Sequence, residues 1–148
     1  MARTIFDYMQ NVKGVRDNIP NETERIIKAK EKFILDLNRQ AQLMQGIDSD
    51  GEKIAPEYKP FTIEIKQLIG QPYDRVTLFY SGKFYAKFRI KFDKSNLTFE
   101  IDSTDNKKPK LMEKYKDHEI FGLTKENQEL LNNKILLPEL WTFFKKYL

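Results

Sequence analysis

Residues 46–57, GIDSDGEKIAPE, hold two aspartates, a glycine and a glutamate at spacings that parallel part of a calcium-binding loop. With Asp50 and Gly51 set at the fifth and sixth loop positions, Asp48 falls at the third and Glu57 at the twelfth. The first position then falls on Gly46, which offers no side-chain oxygen, and Pro56 stands where an exiting helix should begin. A calcium ion takes about six or more oxygen ligands, so losing the first carboxylate is serious. The same residues suit a tight turn: aspartate bonds nearby backbone N–H groups and glycine supplies positive φ. The segment is therefore expected to be a polar turn that binds no metal.

Other sets that could do chemistry are equally incomplete. Glu64 and Lys66, with Asp48 or Asp50 upstream, have the composition of a magnesium nuclease site, which needs converging carboxylates and a lysine near the attacked phosphate. They also fit an exposed face that alternates with Phe61, Ile63 and Ile65. His118 is the single histidine, and none of Ser49, Ser81, Ser95 or Ser103 sits in a G-x-S-x-G elbow. It reads as a structural or solvated residue. Gly46, Gly51, Gly70 and Gly82 are too far apart to cradle a phosphate. The densest basic run, NKKPKLMEKYK at 106–116, could touch phosphates, yet Glu113 and Asp117 interrupt it as they would a solvated helix face. Trp141, Phe143, Phe144 and Tyr147 could stack on a ligand, but their helical spacing favours core packing. The expectation is no enzyme, no catalytic residue, no cofactor and no metal.

The totals set the scale. A chain of 148 residues with 40% apolar and 32% charged residues suits one soluble domain with a hydrophobic core. Cysteine is absent, which excludes disulfides and thiolate chemistry. No apolar run approaches the roughly 20 residues that span a bilayer, so no membrane association is expected. The opening MARTIFDYMQ lacks the apolar stretch of a signal peptide. A net charge of +4 favours an acidic partner without reaching the density of a dedicated nucleic-acid binder.

The elements that must position these residues follow from periodicity. Residues 4–13 read as a short helix, broken by Gly14 and RDNIPN. A long helix follows, capped by Asn21 or Thr23, with Glu22 and Glu24 at its positive end. Its apolar stripe is Ile26, Ile27, Phe33, Ile34, Leu37, Ala41 and Met44, and Gly46 suits its left-handed end. Residues 46–83 form an irregular stretch in which FTIEIKQLI can be a helix or a strand. A hairpin is expected over 84–102: Phe84, Ala86, Phe88, Ile90 and Phe92 face inward, and Tyr85, Lys87, Arg89 and Lys91 face water. DKSN supplies its turn, and Glu100 is placed to pair a cross-strand base. A short helix over 109–116, one capped by Thr124 and one begun at Pro138 complete the chain, the last with Leu140, Trp141, Phe144 and Leu148 on one side. The fold class is α+β, a long N-terminal helix on a small antiparallel sheet with C-terminal helices, divided into an arm at 1–20 and a domain at 21–148.

The middle of the chain resembles tailed-bacteriophage virion morphogenesis and tail-completion proteins. Asp48 with Gly51, Pro56, Thr62 with Lys66, Gly70, and Thr77-Leu78 through Ser81-Gly82 to Phe84 follow that family's order, and IFGLTKEN at 120–127 is similar to its terminal-helix entry. YSG departs from the family's threonine-glycine-leucine pattern, and the first 20 residues have no counterpart. The resemblance implies a structural protein of the connector, neck or tail end of a virion, made in the bacterial host cytoplasm. Such a protein works as copies in a ring among portal, connector and tail proteins, with only incidental DNA contact. The alternative is a small basic nucleic-acid-binding domain. The interaction residues expected are Ile5, Phe6 and Met9 on the arm, and Tyr85, Lys87, Arg89 and Lys91 on the hairpin.

Overall fold

The computed structural model describes residues 4–147, so Leu148 and the first three residues of the expected arm lie outside the described residues. The chain is α+β. Helix α1 spans Ile5–Ala29 without interruption. Thr4 caps it in a reciprocal box with Asp7: the Asp7 N–H donates to the Thr4 hydroxyl at 3.2 Å, and the Thr4 N–H donates to the Asp7 carboxylate at 2.8 Å.

The break expected at GVRDNIPN is absent, for a tertiary reason. Gly14 lies against the ring of Tyr147, where an added Cβ would come within 2.6 Å of Cε1. The glycine that reads as a breaker is a packing site. Pro20 sits inside the helix, and two side chains return hydrogen bonds to carbonyls beside it: Asn18 Nδ2 to Gly14 at 2.7 Å, and the Thr23 hydroxyl to Ile19 at 2.8 Å. Thr23 is thus an interior residue and not a cap. Glu22 and Glu24 pair with Arg25 and with Lys28 and Lys94. The real interruption comes at Lys30, after which α2 runs Glu31–Arg39. Ile26, Ile27, Ile34, Leu35 and Leu37 are buried, whereas Phe33 and Ala41 of the expected stripe are exposed.

A single 3₁₀ turn, Leu43–Gln45, ends at Gly46 in the left-handed region at φ 78°, as its sequence position predicts. Segment 46–83 is not a detached loop, because Ile54, Val76, Thr77 and Leu78 enter the core. Within it FTIEIKQL resolves as helix α3, Pro60–Leu68, with Pro60 in the first turn where a missing N–H costs nothing.

The hairpin is shorter than its alternation suggests. Lys83–Ala86 forms a helical turn, α4, which buries both Phe84 and Tyr85. Strands β1 (Phe88–Asp93) and β2 (Thr98–Ser103) then pair antiparallel, Ile90 opposite Ile101 and Phe92 opposite Phe99. Asp93 holds the connecting turn by accepting from the Ser95 and Asn96 N–H groups. Helix α5 spans Lys108–Lys114 and α6 spans Lys125–Leu131, the latter capped by Thr124. The run is not split at Pro138. A π turn, Asn132–Leu136, leads straight into α7, Leu137–Lys145, with Pro138 in its first turn. On α7 the buried ring is Phe143, and Trp141 is exposed.

Candidate functional site

Three regions hold the residues singled out by sequence. The first is the acidic segment. Asp48 is 1% exposed, and its Oδ1 accepts from the N–H groups of Asp50 and Glu52, each at 2.9 Å. Those bonds make the turn. Its Oδ2 meets His118 Nδ1 at 2.6 Å, and His118 Nε2 lies 3.0 Å from the Ala55 N–H. A backbone N–H can only donate, so Nε2 is the acceptor and the ring proton sits on Nδ1, donated to Asp48. Ligand atoms of Asp48, Glu52 and His118 fall within 4.8 Å of one another, a grouping the sequence did not reveal. A cation there would have to take Asp48 oxygens already engaged and the single lone pair of the imidazole, which already accepts from the Ala55 N–H. Only Glu52 would come unspent. The cluster works as a staple that ties the turn to the segment before α6, reinforced by the Ser49 N–H donating to Glu119 O at 2.8 Å.

Lys66 departs from the exposed face expected for it. It is 4% exposed, and its Nζ donates to Phe79 O at 2.6 Å and Gln71 Oε1 at 3.1 Å. Glu64 is exposed, and Asp50 faces solvent. Among the described residues no hydrogen bond joins Glu64 or Lys66 to Asp48 or Asp50, and the one bond within the set, the Asp50 N–H to Asp48 Oδ1, belongs to the turn. Lys66 instead lines a cavity with Thr62, Leu78, Ser81, Gly82 and Phe84, while Asp48, Gly51, Pro56 and Gly70 are not part of its wall. Behind it Thr77 donates its N–H to the Tyr58 hydroxyl at 2.9 Å, and its carbonyl accepts from the Tyr85 hydroxyl.

The second region is the hairpin face. Tyr85 does not belong to it. At 4% exposure, with its phenol bonded inside, Tyr85 is a core residue, because the α4 turn rotates it inward where a strand would have turned it out. Burial pushes its hydroxyl well above the usual tyrosine value. Lys87, Arg89 and Lys91 are exposed as expected. The face is mixed in sign, since Arg89 stands opposite Asp102 and Lys91 opposite Glu100. Lys91 also approaches Asp102 at 3.9 Å, and Lys108 pairs with the same carboxylate. Neutralising partners leave it a weak electrostatic beacon.

The third region is the start of α1. Ile5, Phe6, Tyr8, Met9 and Val12 are 56–79% exposed. Ile5, Val12, Ile19 and Ile26 recur at heptad spacing, and Tyr8 and Val15 fall at the companion positions. The same stripe is buried at Ile26, half-buried at Ile19 and bare over the first two turns. A second bare apolar face lies on α3, where Phe61 is 72% exposed and Leu68 85%, with Ile69 beside it at 50%. Among the described residues no helix is long and apolar enough to cross a membrane.

Comparison of the chain with family models, with curated proteins and with solved structures finds no match.

Proposed function

We propose that this chain is a structural subunit that assembles with copies of itself into a ring, and that the ring serves at the connector, neck or tail-completion position of a tailed-bacteriophage virion. The observation that carries the assembly is the bare stripe of α1: five large apolar side chains in the first two turns of a helix that is already capped and hydrogen-bonded. Contiguous apolar surface of this kind marks an interaction site. Covering it releases roughly 1.5–3 kcal/mol for each large side chain fully buried, enough to drive association after its entropic cost.

The occupant is a second copy. The α1 stripe and the α3 face are different surfaces of one chain, and a contact between unlike surfaces is head to tail, the geometry that closes into rings. The stripe of one copy seats on Phe61, Leu68 and Ile69 of the next. Its flanks carry Lys13, Arg16 and Asp17, both signs, which suits a neighbour of the same composition. The virion assignment rests on the order of Asp48, Gly51, Pro56, Thr62, Lys66, Gly70 and the 77–84 segment, of which Thr62, Lys66, Leu78, Ser81, Gly82 and Phe84 line one cavity. No catalytic role is assigned.

The head-to-tail arrangement has a mixing test. Val12→Glu disables one surface and Leu68→Glu the other. Each variant alone stays monomeric by light scattering, and an equal mixture gives dimers and nothing larger. Wild type gives a closed ring visible in the electron microscope. A wild-type chain that remains monomeric at high concentration, alone and with portal and tail proteins, overturns the proposal. Rings that bind neither portal nor tail proteins would leave the assembly standing and remove the virion role.

A further inference from the structure

The cavity beneath Lys66 has a feature that neither the fold nor the ring requires. It measures about 220 Å³ between α3, the Tyr80–Phe84 bend and α5. Four lysines line it, Lys66, Lys83, Lys107 and Lys114, and no carboxylate does. None of the four has an acidic partner among the described residues. Lys66 is the unusual one: nine-tenths and more of it is buried, and its ammonium holds two neutral oxygens and rests over the Tyr58 ring at 4.9 Å. An ammonium has three protons to donate, and these contacts use two. Burying a cation without a counter-charge is costly, and proteins normally match it with an anion.

A second observation points the same way. Tyr115 lines the same cavity at 3% exposure, and its hydroxyl makes no hydrogen bond with any described residue, its oxygen remaining open to solvent. Burial and the neighbouring Tyr58 push its hydroxyl up to about 12, so it remains a proton donor at neutral pH. A buried cation with a spare proton and a phenol whose hydroxyl meets only solvent share one small cavity with a lysine rim. What both lack is an acceptor carrying negative charge.

We propose that this cavity binds a phosphate group, held by Lys66 and Tyr115 with Lys83, Lys107 and Lys114 at the rim. The volume is below that of sites for drug-sized ligands and suits a single group, the rest of the molecule lying outside. Phosphate presents several acceptor oxygens and up to two charges, which matches several cations and a phenol better than a carboxylate does. Exposed Tyr80 at the mouth offers a flat ring to whatever the phosphate is attached to. Free phosphate and a nucleic-acid backbone supply the same group. The site gives the 106–116 basic run a defined role, and it does not depend on the ring.

The test is a titration of the ¹⁵N-labelled full chain with sodium phosphate and, separately, with a ten-nucleotide single strand, at constant ionic strength set by chloride. Saturable shifts confined to residues around Lys66, Ser81 and Tyr115 support the site. An oligonucleotide that binds at least tenfold more tightly than phosphate identifies the backbone as the source, and equal affinity identifies the free ion. Tyr115→Phe breaks no bond of the folded chain, so its melting temperature should hold while affinity falls about tenfold or more, the loss for one hydrogen bond to a charged group. Lys107→Gln weakens binding less. No saturable shift with either probe, shifts spread over all surface lysines, or unchanged affinity in Tyr115→Phe overturns the proposal. Lys66→Met is a poorer probe, since it also releases the Phe79 carbonyl.

Discussion

The centre of the domain and the first two turns of α1 invert the usual arrangement. Inside, Asn38, Gln42 and Asp48 are polar and at most 1% exposed; outside, Ile5, Phe6, Met9 and Val12 are apolar and at least 63% exposed. The inner set is fully matched. Asn38 Nδ2 donates to Ile120 O at 3.0 Å and its Oδ1 accepts from the Gly122 N–H at 3.1 Å. Gln42 Nε2 donates to Gly122 O at 2.9 Å, while its Oε1 accepts from the Thr124 N–H and Asn127 Nδ2. These bonds pin α2 and its following turn to the segment that opens α6. The difference teaches where each region finds its partners: the polar centre within the chain, and the apolar stripe, on the proposed assembly, in a second copy. Stability should therefore respond to the first region and association to the second.

The largest stability effect is expected at the staple. Asp48→Ala leaves His118 and two N–H groups without their acceptor in a buried place, a loss of about 3 kcal/mol. For a chain of 148 residues that lowers the melting temperature by roughly 6–12 °C. His118→Ala should cost a similar amount, and the double variant clearly less than the sum, because one interaction is removed twice. Additive losses, measured by thermal unfolding, would show that the two residues act separately.

Asn38→Ala should come next. It orphans one carbonyl and one N–H where α2 meets the 120–122 bend, at about 2 kcal/mol or roughly 4–8 °C. Hydrogen exchange should rise at Gly122 and Thr124 before it rises in β1. If protection there is unchanged, the polar belt does not hold the bend and the contrast between the two regions weakens.

Acid offers a smaller effect. Burial disfavours the Asp102 carboxylate, but Lys108, the Ser103 N–H and Lys91 together hold its carboxyl below the usual value of 3.8. A group lowered in the folded state stabilises above its unfolded value and loses that contribution as pH falls through the folded one. Asp102→Asn should therefore be less stable than wild type by up to about 1 kcal/mol at pH 6, the gap closing below about pH 4. Denaturant titrations at pH 6 and pH 3 measure it. A gap that persists in acid would trace the loss to geometry and not to charge.

Legibility in the sequence followed the range of the determining contact. The Phe88–Phe92 alternation, the Thr124 cap and the left-handed Gly46 were readable because strand period, cap and turn are set within a few residues. The strand was extended wrongly over Phe84–Ala86, since KFYA alternates as well as a strand does while its backbone turns helical after Gly82 at φ 86°. That single error moved Tyr85 from the core to the surface. The helix break at Gly14 and Pro20 failed for the opposite reason: at Gly14 the local breaker was overridden by a ring 133 positions away, that of Tyr147. Asp48 and His118 are 70 residues apart, and no local pattern could pair them. The exposed stripe of α1 was legible because amphipathic spacing needs no tertiary knowledge, though the break expected behind it is continuous helix.

The smallest expected effect lies at the boundary between the two regions, where α1 leaves its anchorage. Gly14→Ala sets two terms against each other. Alanine in a helix interior is favoured over glycine by about 0.5–1 kcal/mol. Against it, the new methyl would sit 2.6 Å from Tyr147 Cε1, closer than any side chain tolerates. The ring's only side-chain hydrogen bond among the described residues is a long one, Asn18 Nδ2 to its hydroxyl at 3.3 Å. It can swing aside, giving up that bond and its edge contact with Phe143 at 5.4 Å. Losses of that kind total about 0.5–1.5 kcal/mol. The net change should therefore be small, with a melting temperature within about 2 °C of wild type, while Tyr147 resonances shift and those of Ile5–Val12 do not. A fall of several degrees would mean that Tyr147 is fixed and that the anchored region reaches further up α1 than its exposure indicates. Shifts running out to Ile5 would mean that the stripe is coupled to the domain and is not free to answer only to a neighbouring copy.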